Sequence, residues 1–198
     1  MDATPLPVSA DLERGFADEP AGVAETVSLA IEEGLAGCSV EDFTGRDNQP
    51  IYDAGLAKDR VAAAAETAHA GPVHLVLTAR AENYLHNRPD LADTITRLQS
   101  FQENGADVLY APGLTKADDI RAVVKSVDLP VNVLALPGAP TVSEPAEIGV
   151  KRISVGGGFS LVGLAAVAEA ADEFLNKGTY RFWSTAAAGA EARNTAFS

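Results

Sequence analysis

Acidic and hydroxyl side chains lie at the ends of successive apolar segments near the start of the sequence. Ser9 and Asp11 are two residues apart, so the alternation of side chains along a strand puts them on one face. Glu41 ends the next apolar segment and can point the same way. Converging carboxylates and a hydroxyl form an oxygen-rich site, which suits Mg²⁺ held largely through water. The spacing therefore predicts a metal shell of Asp11, Glu41 and, through water, Ser9.

A basic side chain, Arg80, ends the third apolar segment. A guanidinium in this position can hold a carboxylate or a phosphonate in a bidentate fork. The alternative is that Arg80 only forms an ion pair with Glu82 or Glu41. Glu13 and Asp42 are second choices for the site, because Glu13 resembles a loop charge and Asp42 can cap backbone amides.

A glycine triplet follows the last apolar segment and includes Gly156 and Gly157. A loop of this kind before a helix favours anions, which makes these two glycines candidate substrate-binding residues. A tight turn explains the triplet equally well, since no Walker-type lysine follows.

The histidines and the single cysteine show weaker patterns. His69, His74 and His86 lack metal-ligand spacing, which favours structural roles. Cys38 falls on the strand face opposite Glu41 and is predicted to be a buried apolar residue.

The elements that must position these residues alternate between short β-branched or apolar segments and amphipathic ones. The predicted strands are 6–10, 37–41, 73–79, 107–111, 131–136 and 152–155. The predicted helices are 21–33, 53–70, 91–104, 117–127, 144–148 and 161–177.

Turn and cap residues separate these segments at regular intervals. Predicted N-cap or capping-box residues at helix starts are Asp18, Asp90, Thr115 and Thr141. Predicted C-cap glycines in the left-handed region are Gly34, Gly71, Gly105 and Gly149. Such a βα repeat implies a parallel sheet, either an open doubly wound sheet or a closed barrel. Charged residues at three successive strand ends favour the barrel, because an open sheet concentrates its site at one switch point.

Composition limits the class of protein. The 198 residues are 46% hydrophobic, enough for one sizeable core. We therefore predict one barrel domain over residues 1–178 and a helical tail over 179–198, with Phe182, Trp183 and Phe197 as apolar anchors. The formal net charge of -13 argues against nucleic acid and membrane partners. One cysteine and no leader pattern make the cytoplasm the expected compartment.

Several motifs, taken together, carry a family resemblance. They are Ser9-Ala10-Asp11, Gly15-Phe16, Val40-Glu41-Asp42, Leu77-Thr78-Ala79-Arg80, Gly105-Ala106-Asp107-Val108-Leu109 and Ile153-Ser154-Val155-Gly156-Gly157. In order and spacing the chain resembles the isocitrate lyase/phosphoenolpyruvate mutase superfamily. The similarity is greatest to its carboxyvinyl-carboxyphosphonate phosphorylmutase-like or 2-methylisocitrate lyase-like branch.

This resemblance implies an incomplete TIM-type (β/α)8 barrel with six βα units present and the first two missing. It implies a Mg²⁺-dependent lyase or mutase that acts on a small 2-oxo or phosphono acid through an enolate. By matching position, Asp11 and Glu41 belong to the metal shell and Arg80 holds the acid group of the substrate. The superfamily often swaps its last helix between subunits, so a homo-oligomer is expected.

The sequence also departs from the superfamily at positions that matter for chemistry. Ser9 stands where the family usually has its principal metal-binding aspartate. Segment 44–49 lacks the cysteine and histidine of the lyase loop, and Pro112 replaces a site glutamate. Isocitrate cleavage by the usual route is therefore not expected. Two hypotheses follow: an enzyme of this superfamily, or a catalytically inactive barrel that oligomerises or binds 2-oxo acids.

Overall fold

The computed structural model describes residues 4–196. The chain divides into two compact units, Met1–Ser154 and Val155–Ser198, and each is described by itself. The strands, all in the first unit, are β1 (Ser9–Asp11), β2 (Gly37–Glu41), β3 (Val76–Arg80), β4 (Val108–Tyr110), β5 (Val131–Leu134) and β6 (Arg152–Ser154). The helices of this unit are α1 (Pro20–Glu32), α2 (Ala54–His69), α3 (Leu91–Glu103), α4 (Ala117–Ser126) and α5 (Ser143–Ile148).

The six strands form one parallel sheet in sequence order, from β1 to β6. This sequential order excludes a doubly wound sheet, whose strand order reverses at a switch point. The predicted fold class, an incomplete (β/α)8 barrel with helices between the strands, is confirmed. Within residues 4–196, β1 and β6 are the outer strands of the sheet.

The two faces of the sheet differ in polarity. The buried apolar core lies between the helices and one face, which carries Cys38, Val40, Leu77, Ala79 and Leu109. The other face carries Ser39, Glu41, Thr78, Arg80 and Tyr110. Since side chains alternate along a strand, the apolar face fixes the register and forces the polar set onto the opposite side. Burial raises the pKa of Cys38 to about 12, in keeping with its predicted role as an apolar residue.

Several predicted strand ends were wrong by up to three residues. Leu6 and Val73 are apolar but 71% and 65% exposed, and β1 and β3 begin after them, at Ser9 and Val76. His74 therefore precedes β3, although the sequence placed it within the strand. Apolar character alone does not show where ladder hydrogen bonds begin.

The predicted helix caps were partly right. Asp90 Oδ1 accepts a hydrogen bond from the Asp93 amide and caps α3 as predicted. The N-cap positions of α1, α4 and α5 are instead Glu19, Lys116 and Val142, none with a side-chain cap. The Thr141 amide nevertheless donates to Glu144 Oε2 at 3.2 Å, which is one of the two hydrogen bonds of the predicted capping box. Asp18 makes no cap; its carboxylate instead bonds to Arg14 in its own loop and to Arg46 and Tyr52 in the loop after β2.

Left-handed glycines end several helices. Gly34, Gly105 and Gly149 have positive φ as predicted, whereas Gly71 does not, since α2 ends on Ala70 in a right-handed conformation. At Gly105 φ is +94° and a Cβ would lie 2.8 Å from the Ala65 Cβ. Glycine is required there both by the backbone and by close packing.

The second unit contains α6 (Gly158–Asp172), a π-helical segment (Glu173–Lys177) and α7 (Trp183–Ala196). Gly178, with φ of +61°, follows the π-helical segment and ends it. Trp183 is 65% exposed, and its ring stacks on that of Phe182 with centroids 5.8 Å apart. Phe197 lies outside the described residues, and the anchoring role of the three aromatic residues stays a prediction. The predicted boundary after residue 178 stays a prediction. No helix formed by residues 4–196 has the length and hydropathy needed to cross a bilayer.

Candidate active site

Arg80 lies at the centre of a cluster of carboxylates at the carboxyl ends of β1, β2 and β3. Its Nη1 lies 2.7 Å from Asp11 Oδ2, its Nη2 lies 3.1 Å from Glu41 Oε2, and its Nε lies 2.8 Å from Glu82 Oε1. Glu41 and Arg80 are paired in register on neighbouring strands, which brings their side chains to the same level. The structure thus brings together Asp11, Glu41 and Arg80, and it adds Glu82.

Asp11 is held as an ionised carboxylate. Its Oδ1 accepts hydrogen bonds from the Ser39 hydroxyl at 3.0 Å and the Glu13 amide at 3.1 Å. Burial tends to raise the pKa of Asp11, but the Arg80 guanidinium and these hydrogen bonds together lower it below its usual value. Of the three carboxylates on Arg80, Asp11 is the one most open to solvent, with 60% of its side chain exposed.

Glu41 is a carboxylate of the cluster whose ionised form is strongly disfavoured. Burial, followed by the negative charge of Glu82, raises the pKa of Glu41 to about 7, although Arg80 opposes the rise. Three carboxylates surround one guanidinium, so the cluster has surplus negative charge when all are ionised. Glu41 can therefore exchange a proton near neutral pH.

Buried neighbours position Arg80. Glu82 is 2% exposed, burial raises its pKa, and its amide donates to Asp42 Oδ1 at 2.8 Å. The Tyr110 ring centroid lies 5.3 Å from Arg80 Cζ, within cation–π range. The Ser154 hydroxyl donates to the Tyr110 hydroxyl at 3.0 Å.

Sequence reasoning missed two members of this group, Ser39 and Tyr110. The sequence could have indicated Ser39, because it shares a strand face with Glu41. It could not have indicated Tyr110, whose pairing with Arg80 depends on the register of β3 and β4. Asp42, a second choice, accepts a backbone amide as expected and also pairs with Arg97 at 3.2 Å. The Glu13 carbonyl accepts a hydrogen bond from the Glu41 amide at 2.9 Å.

Ser9 begins β1, whereas Asp11 ends it, so Ser9 lies closer to the amino ends of the strands. It is paired in register with Gly37 and lines a cavity of about 190 Å³ with Thr78, Val108 and Arg152. Apart from Thr78, these residues begin their strands, whereas the carboxylate cluster is at the strand ends. The hydroxyl that contacts Asp11 belongs to Ser39, and the role of Ser9 stays a prediction.

The glycine triplet begins the second unit. Gly156 has φ of +52°, and a Cβ placed on Gly157 would meet no atom within 4 Å. Gly157 is the N-cap residue of α6. The substrate-binding role of Gly156 and Gly157 stays a prediction.

The donor set of the cluster fits Mg²⁺. Asp11 and Glu41 supply carboxylate oxygens and Ser39 supplies a hydroxyl, while Mg²⁺ usually keeps several waters and needs only one or two carboxylates. Burial and, after it, the negative charge of Glu82 raise the pKa of Glu41, and an added cation would offset the repulsion between these carboxylates. These residues can therefore hold a largely hydrated ion.

Comparison with known proteins agrees with the fold. A family model described as phosphoenolpyruvate phosphomutase matches residues 1–175. An uncharacterised protein of Mycobacterium tuberculosis (strain ATCC 25618 / H37Rv) is 31% identical over 165 residues, covering 83% of this chain and 60% of that protein. The 2-methylisocitrate lyase of Escherichia coli (strain K12) is 31% identical over 136 residues, covering 66% of this chain and 45% of that enzyme.

A solved structure from Burkholderia cenocepacia J2315, provisionally described as a lyase/mutase, is 52% identical with a TM-score of 0.87. That alignment covers 89% of this chain and 64% of the solved chain. The chain thus spans 60% and 45% of the length of the two curated relatives named above.

Proposed function

Because the chain belongs to the phosphoenolpyruvate phosphomutase family, we propose that it acts on a small 2-oxo or phosphono acid with Mg²⁺ as cofactor. The reaction would make or break a carbon–carbon or carbon–phosphorus bond through an enolate. The observation that carries this proposal is the convergence of Asp11, Glu41 and Arg80 at the carboxyl ends of β1 to β3.

Arg80 would bind the acid group of the substrate. Its side chain is 13% exposed, and its guanidinium is paired with three carboxylates, of which Glu41 and Glu82 are buried and Asp11 is exposed. An incoming carboxylate or phosphonate can most easily replace Asp11 at Nη1. Glu82 and the Tyr110 ring would keep the guanidinium in place during this exchange.

Asp11 and Glu41 would hold the metal through water. Bound Mg²⁺ supplies a Lewis acid that stabilises negative charge as it develops on the oxo group. Holding a cation favours the ionised form of Glu41, whose pKa without metal is about 7. Metal binding near neutral pH should therefore release a proton from Glu41.

Calorimetric titration tests this proposal. Oxaloacetate and phosphonopyruvate are titrated into the wild type, Asp11→Asn and Arg80→Ala with Mg²⁺ present. Matched controls are Asp118→Asn and Arg121→Ala, since these residues form an exposed ion pair on α4. The wild type and controls should bind, and the two site variants should lose binding. If the wild type binds neither acid, or if the site variants bind as well as the controls, the site assignment fails.

A second candidate is binding of a 2-oxo acid without turnover. Loop 44–49 contains no cysteine or histidine, and its Thr44 hydroxyl is engaged within the loop by donating to the Gln49 carbonyl at 2.5 Å. A proton NMR time course of bound oxaloacetate separates the two candidates. If oxaloacetate is converted faster with the protein than in buffer containing Mg²⁺ alone, the chain is an enzyme. If the bound oxaloacetate is not converted faster than in that buffer, the binding role is supported.

A further inference from the structure

Two histidines and an aspartate meet at the amino ends of β3 and β4, away from the carboxylate cluster. His69 is the last residue of α2, His74 lies in the loop before β3, and Asp107 directly precedes β4. His69 Nε2 lies 3.0 Å from Asp107 Oδ2, and His74 Nε2 lies 2.9 Å from Oδ1. One carboxylate thus joins two imidazoles through its two oxygens.

The donor atoms of this group are close enough to share one ion. All of them lie within 4.8 Å of one another, and within residues 4–196 this is the one group of three or more histidine, cysteine or carboxylate side chains that meets this condition. Tetrahedral Zn²⁺ with bonds of about 2.0–2.2 Å to nitrogen and oxygen needs donors separated by roughly 3.3 Å. The observed separations of 2.9 and 3.0 Å between nitrogen and oxygen are close to that value.

We propose that His69, His74 and Asp107 form a binding site for a transition-metal ion such as Zn²⁺. Two imidazoles with one carboxylate favour borderline metals, whereas Mg²⁺ prefers oxygen donors. Three protein ligands leave one tetrahedral position to water. The site is chemically different from the carboxylate cluster around Arg80.

Asp107 is the rigid member of the site and the two histidines are the adjustable members. Asp107 Oδ2 accepts the Leu77 amide at 2.8 Å, which anchors it to β3. The imidazole rings are stacked, with centroids 4.1 Å apart and planes within 12°. A metal lies near the plane of each imidazole, so the rings must turn apart on binding. Their side chains are 31% and 54% exposed, which leaves room for that rotation.

The position suggests a stabilising role. The ion would link the end of α2 and the loop before β3 to the residue that begins β4. In a barrel, the amino ends of the strands contribute to stability, while the carboxyl ends carry catalysis. A ligand that binds only the folded state raises the free energy of unfolding.

Zinc titration of the full chain tests the proposal. Zn²⁺ is titrated calorimetrically with excess Mg²⁺ present to occupy oxygen-rich sites, using the wild type, His69→Ala and His74→Ala. His86→Ala is the matched control, because His86 is the third histidine and stacks on Phe43 instead. Circular dichroism verifies that each variant is folded, and a variant that is not folded is replaced by the glutamine variant at the same position, His69→Gln or His74→Gln.

The wild type and His86→Ala should bind one Zn²⁺ per chain with equal affinity and show a higher melting temperature with zinc. Each variant at His69 or His74 should bind at least about tenfold more weakly and lose the increase in melting temperature. The proposal is overturned if the wild type shows no saturable binding, or if loss of either histidine leaves the affinity unchanged.

Discussion

Replacement of Glu41 by glutamine tests the charge balance around Arg80 with little change in side-chain volume. The pKa of Glu41 rises from its usual 4.5 to about 7, mainly through burial and the charge of Glu82. One pKa unit corresponds to about 1.4 kcal/mol, so keeping Glu41 ionised in the folded protein costs about 3 kcal/mol. Arg80 retains Asp11 and Glu82 as partners in the variant.

The sign of the effect follows from proton linkage. Between pH 4.5 and about 7 the folded state holds a proton on Glu41 that the unfolded chain has released. The contribution of Glu41 to the free energy of unfolding therefore falls as pH rises through this window. Below pH 4.5 the wild-type side chain is neutral in both states and resembles glutamine.

Urea unfolding monitored by circular dichroism at several pH values measures the difference. The free energy of unfolding of Glu41→Gln should be larger than that of the wild type by about 1–3 kcal/mol at pH 8. Near pH 4 the two values should be equal. Glu66→Gln, at an exposed position on α2, should show no such pH-dependent difference. Added Mg²⁺ should narrow the gap at pH 8, because a bound cation stabilises the ionised wild-type site. If Glu41→Gln is less stable than the wild type at pH 8, the attraction to Arg80 outweighs burial and the reasoning is refuted.

Three further predictions concern packing and assembly. Arg97→Ala should lower the free energy of unfolding by about 3 kcal/mol in urea, because it leaves Asp42, whose side chain is 1% exposed, without its ion pair; a loss below about 1 kcal/mol would contradict this. Gly105→Ala should lower the free energy of unfolding by more than about 1 kcal/mol, because the backbone there is left-handed and the added Cβ would contact α2. Gly163→Ala in α6 has open space around it and should leave stability unchanged or raise it. Similar melting temperatures for the two variants would refute this contrast. We also expect the wild type to self-associate, since α6 has no buried residue and Leu164 is 64% exposed. In sedimentation velocity, Leu164→Glu should contain a larger fraction of monomer than the wild type. A monomeric wild type would contradict this expectation.

Local sequence patterns were sufficient to predict the architecture, because each pattern involves only residues that are close together in the sequence. The predicted strand 37–41 matches β2, and the first five predicted helices match α1 to α5 to within one residue at each end. The sixth, 161–177, covers most of α6 together with the π-helical segment that follows it. Alternation at a period of two and apolar stripes at a period of 3.6 are properties of single elements and can be recognised without knowing the neighbours. The alternation of strands and helices then predicted parallel pairing and placed Asp11, Glu41 and Arg80 at one end of the sheet.

Tertiary structure alone decided which polar groups meet. Asp18 was predicted to cap α1, yet it accepts the Tyr52 hydroxyl at 2.5 Å and pairs with Arg14 and Arg46. His69 and His74 showed no ligand spacing in the sequence, because their shared partner Asp107 lies more than thirty residues away. The partner of a polar side chain depends on strand register and on how each crossover helix packs. The raised pKa of Glu41 likewise comes from burial and from Glu82 on the neighbouring strand's loop, which only the folded chain brings close.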